Sequence, residues 1–225
     1  MREKATYALG ILGAIVMIWN LHHIFTQMAP ESAQGMAGWI LFIHVPADFM
    51  GDILYTVALV TSILFLVKKD FTYDSISVAC IEVGTMFILV NLVTGSIWGK
   101  NQWGIWWTWD LRLTTQLMKF LLYLGYLVVR PAIAEATQRA TMSAFIAIFA
   151  YADVPLVMMA IRLPNVRTQH PSPVIETGGI NDVAVPFVVG IIAQLLMALA
   201  LMLVRLHQEN TRREIDSLRR ELHAL

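Results

Sequence analysis

Six apolar runs dominate this 225-residue sequence, at 7–25, 46–67, 75–97, 113–129, 141–161 and 182–206. A hydrocarbon core takes roughly 20 residues of helix to cross, so each run is close to one crossing. Composition agrees. Charged residues make up 14% of the chain and hydrophobic ones 57%, against roughly 25% charged in soluble domains. The sequence predicts an all-α membrane protein with six transmembrane helices. Net charge is zero, which gives no sign of a nucleic-acid partner. The single cysteine, Cys80, lies inside an apolar run. It cannot form an internal disulfide or a CxxC pair and reads as a small buried residue. Arg2 and Lys4 precede the first run as in a signal peptide. No small-residue cleavage site follows and further apolar runs do, so the first helix is expected to be retained.

An even number of crossings puts both termini on one side, and Lys and Arg decide which. Eleven fall on the side of the termini: Arg2, Lys4, Lys68, Lys69, Arg130, Arg139, Arg205, Arg212, Arg213, Arg219 and Arg220. Five fall on the other: Lys100, Arg112, Lys119, Arg162 and Arg167. Both termini are therefore expected in the cytoplasm of a cell with this chain in its plasma membrane. The segments facing out are then 26–45, the stretch after run three, and 162–181. Loops carry function more often than helices do, and the inward connections are short and plain. The working face is expected to be external.

The second outward segment, 98–115, reads W-G-K-N-Q-W-G-I-W-W-T-W-D-L-R-L-T-T. Trp98, Trp103, Trp106, Trp107 and Trp109 are five of the chain's seven tryptophans, and Asp110 and Arg112 follow. An aromatic belt at the membrane surface accounts for one or two such residues at a helix end. Five, with two glycines, an acid and two cations, read equally as a platform for a large, flat, apolar ligand. Both readings stand on residue types alone.

His44 precedes Val45-Pro46, and proline suits the first turn of a helix, so His44 is expected at the outer mouth of helix two. His170 lies in the third outward segment. Either alone reads first as a solvated side chain. Together, on two loops flanking the Trp stretch in sequence, they fit two neutral ligands gripping one metal ion. A flat apolar ligand with iron at its centre is haem, and axial histidine is its usual hold. His22 and His23 end helix one and read as interfacial residues. Asp52, Glu82, Asn91 and Asp153 are polar residues within apolar runs, where they are costly. Glu82 is expected as a protonated packing residue, and Asp52 and Asp153 as hydrated or capping groups. The chain divides into residues 1–206, the membrane domain, and 207–225, a cytoplasmic helical extension expected to continue the sixth helix. There Ile215, Leu218, Leu222 and Leu225 form one apolar stripe, and Glu209/Arg213 and Asp216/Arg220 are i,i+4 pairs.

The segment from Leu92 through Trp98, Trp103, Trp106-Trp107, Trp109-Asp110 and Arg112 resembles the tryptophan-rich WWD signature of the haem-handling proteins of cytochrome c maturation. His44-Val45-Pro46-Ala47 resembles the first-loop histidine motif of the same proteins, and Asp153-Val154-Pro155 followed by His170 their helix-five and third-loop pattern. Within that group the pattern is most similar to the CcmC family, across residues 38–175 and the six-helix plan. The resemblance implies that haem b is held on the outer face, with His44 and His170 as axial ligands. Trp98, Trp103, Trp106, Trp107, Trp109 and Asp110 would form the platform, and Lys100, Arg112 and Arg167 are the candidate propionate contacts. It implies delivery of haem to the periplasmic chaperone CcmE, beside CcmA, CcmB and CcmD, with no enzymatic activity in this chain. One departure is visible: Leu163-Pro-Asn-Val-Arg-Thr-Gln, before His170, lacks the aromatic residues often found there.

Other classes fit less well. A b-type cytochrome subunit needs histidines within facing helices, and runs two to six hold none. A haem–apocytochrome ligase with a WWD loop is much longer. A haem-free permease has no use for five clustered tryptophans. There is no G-x-x-x-x-G-K-[ST] loop, so any ATP hydrolysis belongs to a partner.

Overall fold

The computed structural model describes residues 2–30, 34–160, 162, 170 and 183–224. Within them the elements are helices: α1 (Arg2–Gln27), α2 (Leu41–Lys68), α3 (Phe71–Trp103), α4 (Leu111–Val129), α5 (Ala136–Tyr151), α6 (Asp153–Met159) and α7 (Ala184–Ala224). A 3-10 turn, Met36–Ile40, leads into α2. The described residues of the six apolar runs lie almost wholly in these helices. Among the described residues, five spans are long and apolar enough to cross a membrane. The α4 segment is not among them, because Arg112, Gln116 and Lys119 interrupt it at helical spacing and turn one polar face inward.

Local chemistry sets the ends. Asp70 caps α3 by accepting from the Thr72 N–H at 2.8 Å, and Glu135 caps α5 through the N–H groups of Thr137 and Gln138. Those N–H bonds hold both carboxyls below their ordinary range, as expected at a helix N-terminus. Only Lys69, at φ 58°, and Asp70 separate α2 from α3, so these two helices run back antiparallel as a tight pair. Gly104 ends α3 at φ 77°, a left-handed cap that glycine adopts without a Cβ clash.

The α2–α3 pair is the centre of the bundle. Glycine permits its close contact: a Cβ on Gly51 would fall 2.4 Å from Ile88 Cδ1, and one on Gly84 2.9 Å from Tyr55 Cε1. Small residues serve the same purpose between membrane helices generally. Around the pair, Met50, Tyr55, Ile81, Ile88, Tyr123, Ala147 and Val154 form the main core, drawn from α2 to α6. Helix α1 lies chiefly on α7. Asn20 ties the two by donating to the Pro186 carbonyl at 2.9 Å. Exposed Ile11, Ile15, Ile18, Val60, Met86, Leu121 and Phe145 line the outside, the surface a bundle presents to lipid.

Two sequence expectations change. Helix α2 starts at Leu41, not at Pro46, so His44 lies inside the helix rather than above it. The run of α3 continues to Trp103; Trp98 and Trp103 are thus helical, and the true connection is only 104–110. The tail continues the sixth apolar run as the sequence leads one to expect, since helix α7 passes residue 206 without a break. At about 1.5 Å per residue, its 41 residues reach well beyond one bilayer crossing.

The end of the bundle away from the tryptophans is closed by charge. Arg130 forks onto both oxygens of Asp74, at 2.8 and 2.7 Å, and reaches Glu209 at 3.1 Å. Arg213 joins Asp74 as well. Glu82 is ion-paired with Arg205, not a neutral packing residue. Arg205 and Arg213 of α7 therefore pin that helix to the bundle.

Candidate functional site

At the tryptophan end, α1, α2, α3 and α4 splay around a cavity of about 950 Å³. That is within the roughly 300–1,000 Å³ of small-molecule sites. A second concavity of about 590 Å³ is lined by α7 alone, past His207, Arg212 and Arg219; it has no facing wall and no converging groups.

Each wall of the larger cavity has a distinct source. The end of α1 gives His23, Gln27 and Met28; the 3-10 turn gives Trp39; α2 gives Phe42 and His44. From α3 come Asn91, Gly95, Trp98 and Trp103, from the following connection Trp107, and from α4 Arg112 and Gln116. His170 lies on the same wall system. Its ring centre is 6.5 Å from that of Trp98, tilted by 42°. The two histidines, more than a hundred residues apart in sequence, thus share one cavity with four tryptophans, three of them from the 98–115 stretch.

Trp98 is held firmly. Its indole N–H donates to Gln34 Oε1 at 2.7 Å, and Trp103 stands edge-on to it at 5.0 Å. Such edge-to-face pairs are favoured by the ring quadrupole. His44 is held equally well. Its Nδ1 lies 3.0 Å from the Asn91 carbonyl oxygen and 3.1 Å from Thr94 Oγ1. The Asn91 side-chain amide donates to the His44 carbonyl at 3.1 Å. Gly95 makes room for the ring, since a Cβ there would fall 2.9 Å from His44 Cε1.

Trp106, Trp109, Asp110 and Lys100, also singled out by sequence, are not on that wall. Trp106 and Trp109 are 60% and 76% exposed and off the cavity wall; Trp109 packs edge-on against Trp107. Asp110 is the N-cap of α4, accepting from the Leu113 N–H at 2.9 Å. Lys100 donates to the Gly104 carbonyl at 2.8 Å, at the end of α3. Arg112 does line the cavity, but its guanidinium donates to the Val157 carbonyl at 2.6 Å and to Asp48 at 3.1 Å. Arg167 lies outside the described residues.

Beneath the cavity runs a polar network that centres on a residue the sequence reading passed over, Asp48. It accepts from Arg112, from Gln116 at 2.8 Å and from Lys119 at 3.2 Å. Gln116 also donates to Asn91 Oδ1 at 2.7 Å, linking the network to His44. Lys119 is fully buried and lies 2.6 Å from Asp52. Asp52 is therefore an ion-paired group, not a hydrated cap. Periodicity could have found this set. His44, Asp48 and Asp52 are spaced by four on α2, and Arg112, Gln116 and Lys119 by four and three on α4. Two polar stripes in apolar helices are best satisfied facing each other.

The comparisons with known proteins agree along the chain. The model of the family described as Heme exporter protein C matches residues 1–221. Heme exporter protein C of Paracoccus denitrificans is 31% identical over 195 residues, 85% of this chain and 81% of that protein. Its counterpart in Bradyrhizobium diazoefficiens is 31% identical over 212 residues, 92% of this chain and 80% of the relative. That of Escherichia coli K12 is 28% identical over 165 residues, 72% and 66% respectively. The chain belongs to the Heme exporter protein C family.

Proposed function

We propose that this chain binds haem b in the cavity at the tryptophan end and hands it on during maturation of c-type cytochromes. The observation that carries the reading is that His44 and His170 line one cavity together with Trp98, Trp103 and Trp107. Two imidazoles supply axial ligands, and the indole faces cover the apolar macrocycle. The chemistry of His44 fits that role. Its Nδ1 faces two oxygens, so the proton belongs on Nδ1 and the lone pair on Nε2, the form that ligates a metal.

Family membership supports haem handling, and the remaining steps follow from the resemblance. Haem is held on the periplasmic face of the inner membrane and delivered to the chaperone CcmE, with CcmA, CcmB and CcmD as companion subunits. This chain is a transfer subunit and not an enzyme; ATP hydrolysis belongs to a partner. In this reading six helices cross the membrane, α4 with its polar face turned into the bundle and its apolar face outward, and both termini are cytoplasmic. The burial of Lys119 and the inward turn of Arg112 strengthen the orientation, because neither then counts as an outer-loop cation. Arg112 stands at the cavity edge with its charge already matched by Asp48, so it orients an acid group of the ligand rather than neutralising it. Lys100 and Arg167 remain the other candidates for that contact.

The test is the absorption spectrum of the protein purified after co-expression with its haem chaperone. Wild type should show a low-spin, bis-histidine spectrum. His44→Ala and His170→Ala should each lose it, together with haem on the chaperone. A haem-free wild type beside a normally loaded chaperone refutes the reading.

A further inference from the structure

The charges under the cavity balance, two acids against two bases: Asp48 and Asp52 from α2, Arg112 and Lys119 from α4. A fifth group upsets the balance. Asp153 opens α6 with its side chain 3% exposed, makes no capping bond, and has both oxygens buried without a hydrogen-bond partner among the described residues. Lys119 is the cation that acts on it electrostatically, yet Lys119 is already committed to the two carboxylates of α2.

The groups around Asp153 offer no other charge. From α4, the Tyr123 hydroxyl is buried and likewise lacks a partner among the described residues. From α2, Tyr55 stacks on Tyr123 with ring centres 3.5 Å apart, and its hydroxyl is bonded to Thr85 of α3 at 3.1 Å. From α5, Tyr151 spends its hydroxyl on Thr56 at 3.0 Å. An uncompensated carboxylate in such surroundings is heavily penalised, and the group neutralises by taking a proton.

We propose that Asp153 is a proton-binding site inside the bundle, and that its proton decides how Lys119 is shared between α2 and α6. With Asp153 neutral, Lys119 stays on Asp48 and Asp52, and Asp48 keeps its hold on Arg112. When Asp153 gives its proton to solvent, the new charge competes for Lys119 and loosens that hold. Arg112 also holds the Val157 carbonyl of α6 and itself lines the cavity. The same proton therefore bears on the cavity wall that Arg112 forms; its effect on haem rests on the proposed function, the proton site does not.

The test is infrared spectroscopy of the full-length, ligand-free protein carrying carboxyl-labelled aspartate, titrated from neutral to alkaline pH. Wild type should show a carboxylic C=O band that moves with the label and bleaches as pH rises. The band should be missing in Asp153→Asn and kept in Asp52→Asn. Its absence from wild type, or its loss in Asp52→Asn with retention in Asp153→Asn, overturns the proposal. If Asp153→Asn does not accumulate, Asp153→Glu should remove the band from the labelled set. In a second arm, haem release from wild type should quicken about tenfold over that titration, an ordinary size for coupling between sites, and stay flat in Asp153→Asn. An unchanged wild-type release rate overturns the coupling but not the proton site. A protein that binds no haem overturns the function and leaves the infrared result standing.

Discussion

His44 of α2 points its Nδ1 at the Asn91 carbonyl oxygen of α3, 3.0 Å away, so one helix sets the tautomer and angle of a histidine carried by another. Thr94 supports this as an acceptor, since its own hydroxyl proton goes to the Val90 carbonyl at 2.7 Å. The Asn91 side chain then braces the arrangement through the His44 carbonyl and Gln116. Outer partners of a metal-binding histidine are commonly worth about 10–100-fold in affinity. Asn91→Leu removes both braces but leaves the backbone oxygen. Haem titration should show binding weakened by about tenfold, with low-spin character retained. Full affinity in this variant contradicts a bracing role.

Gly95 offers a cleaner steric test. A Cβ there would sit 2.9 Å from His44 Cε1 and 3.4 Å from Nδ1, so Gly95→Ala must move the imidazole. The helix itself tolerates alanine better than glycine, by about 1 kcal/mol. Thermal stability should therefore hold or rise while the low-spin spectrum is lost or weakened. A variant with an intact spectrum shows that the ring has room to give.

Lys119 tests the network beneath. It is 0% exposed and bound to Asp48 and Asp52. Removing one member of a buried charge cluster strands the others, at a typical cost of about 3–5 kcal/mol. Lys119→Met should be destabilised on that scale. Adding Asp52→Asn should restore a good part of the loss, because it deletes the stranded charge. Unfolding measurements on the two single variants and the double variant give the coupling directly; purely additive effects count against the pairing.

Much of this architecture was legible before the fold. The described residues of the six apolar runs lie almost wholly in helices, because length and hydropathy leave an apolar segment few choices in lipid. His44, His170 and three of the five tryptophans of the 98–115 stretch line one cavity. Asp48 was not legible alone, since a carboxylate four residues from His44 looks like any polar residue near a helix end. Its meaning comes from Arg112, Gln116 and Lys119 on α4, and only packing of α2 against α4 brings the two stripes together. The extent of α3 was hidden for a related reason: Gly99, Lys100, Asn101 and Gln102 look like a loop, yet the helix carries them to its Gly104 cap. Asp153 misled for the opposite reason. An acid at a helix start normally caps it, and here the carboxyl is buried with no donor within reach among the described residues.

The tryptophan stretch itself divides in two, and the division can be measured. Trp98 is clamped between Gln34 and Trp103 on the cavity wall, whereas Trp106 and Trp109 are mostly exposed. Trp98→Ala should weaken haem binding severely; Trp106→Ala should leave equilibrium binding close to wild type. If the exposed rings matter, they should do so in transfer, so Trp106→Ala and Trp109→Ala should be assayed for haem passed to the chaperone as well as for haem held. Asp110 separates the same two roles. As the N-cap of α4 it is replaceable by asparagine, which caps equally well, while alanine should cost about 1 kcal/mol. Equal haem binding in wild type and Asp110→Asn, with a destabilised Asp110→Ala, makes the residue a cap. Loss of binding in Asp110→Asn at full stability makes its charge part of the site, because asparagine preserves the helix start and removes only the negative charge.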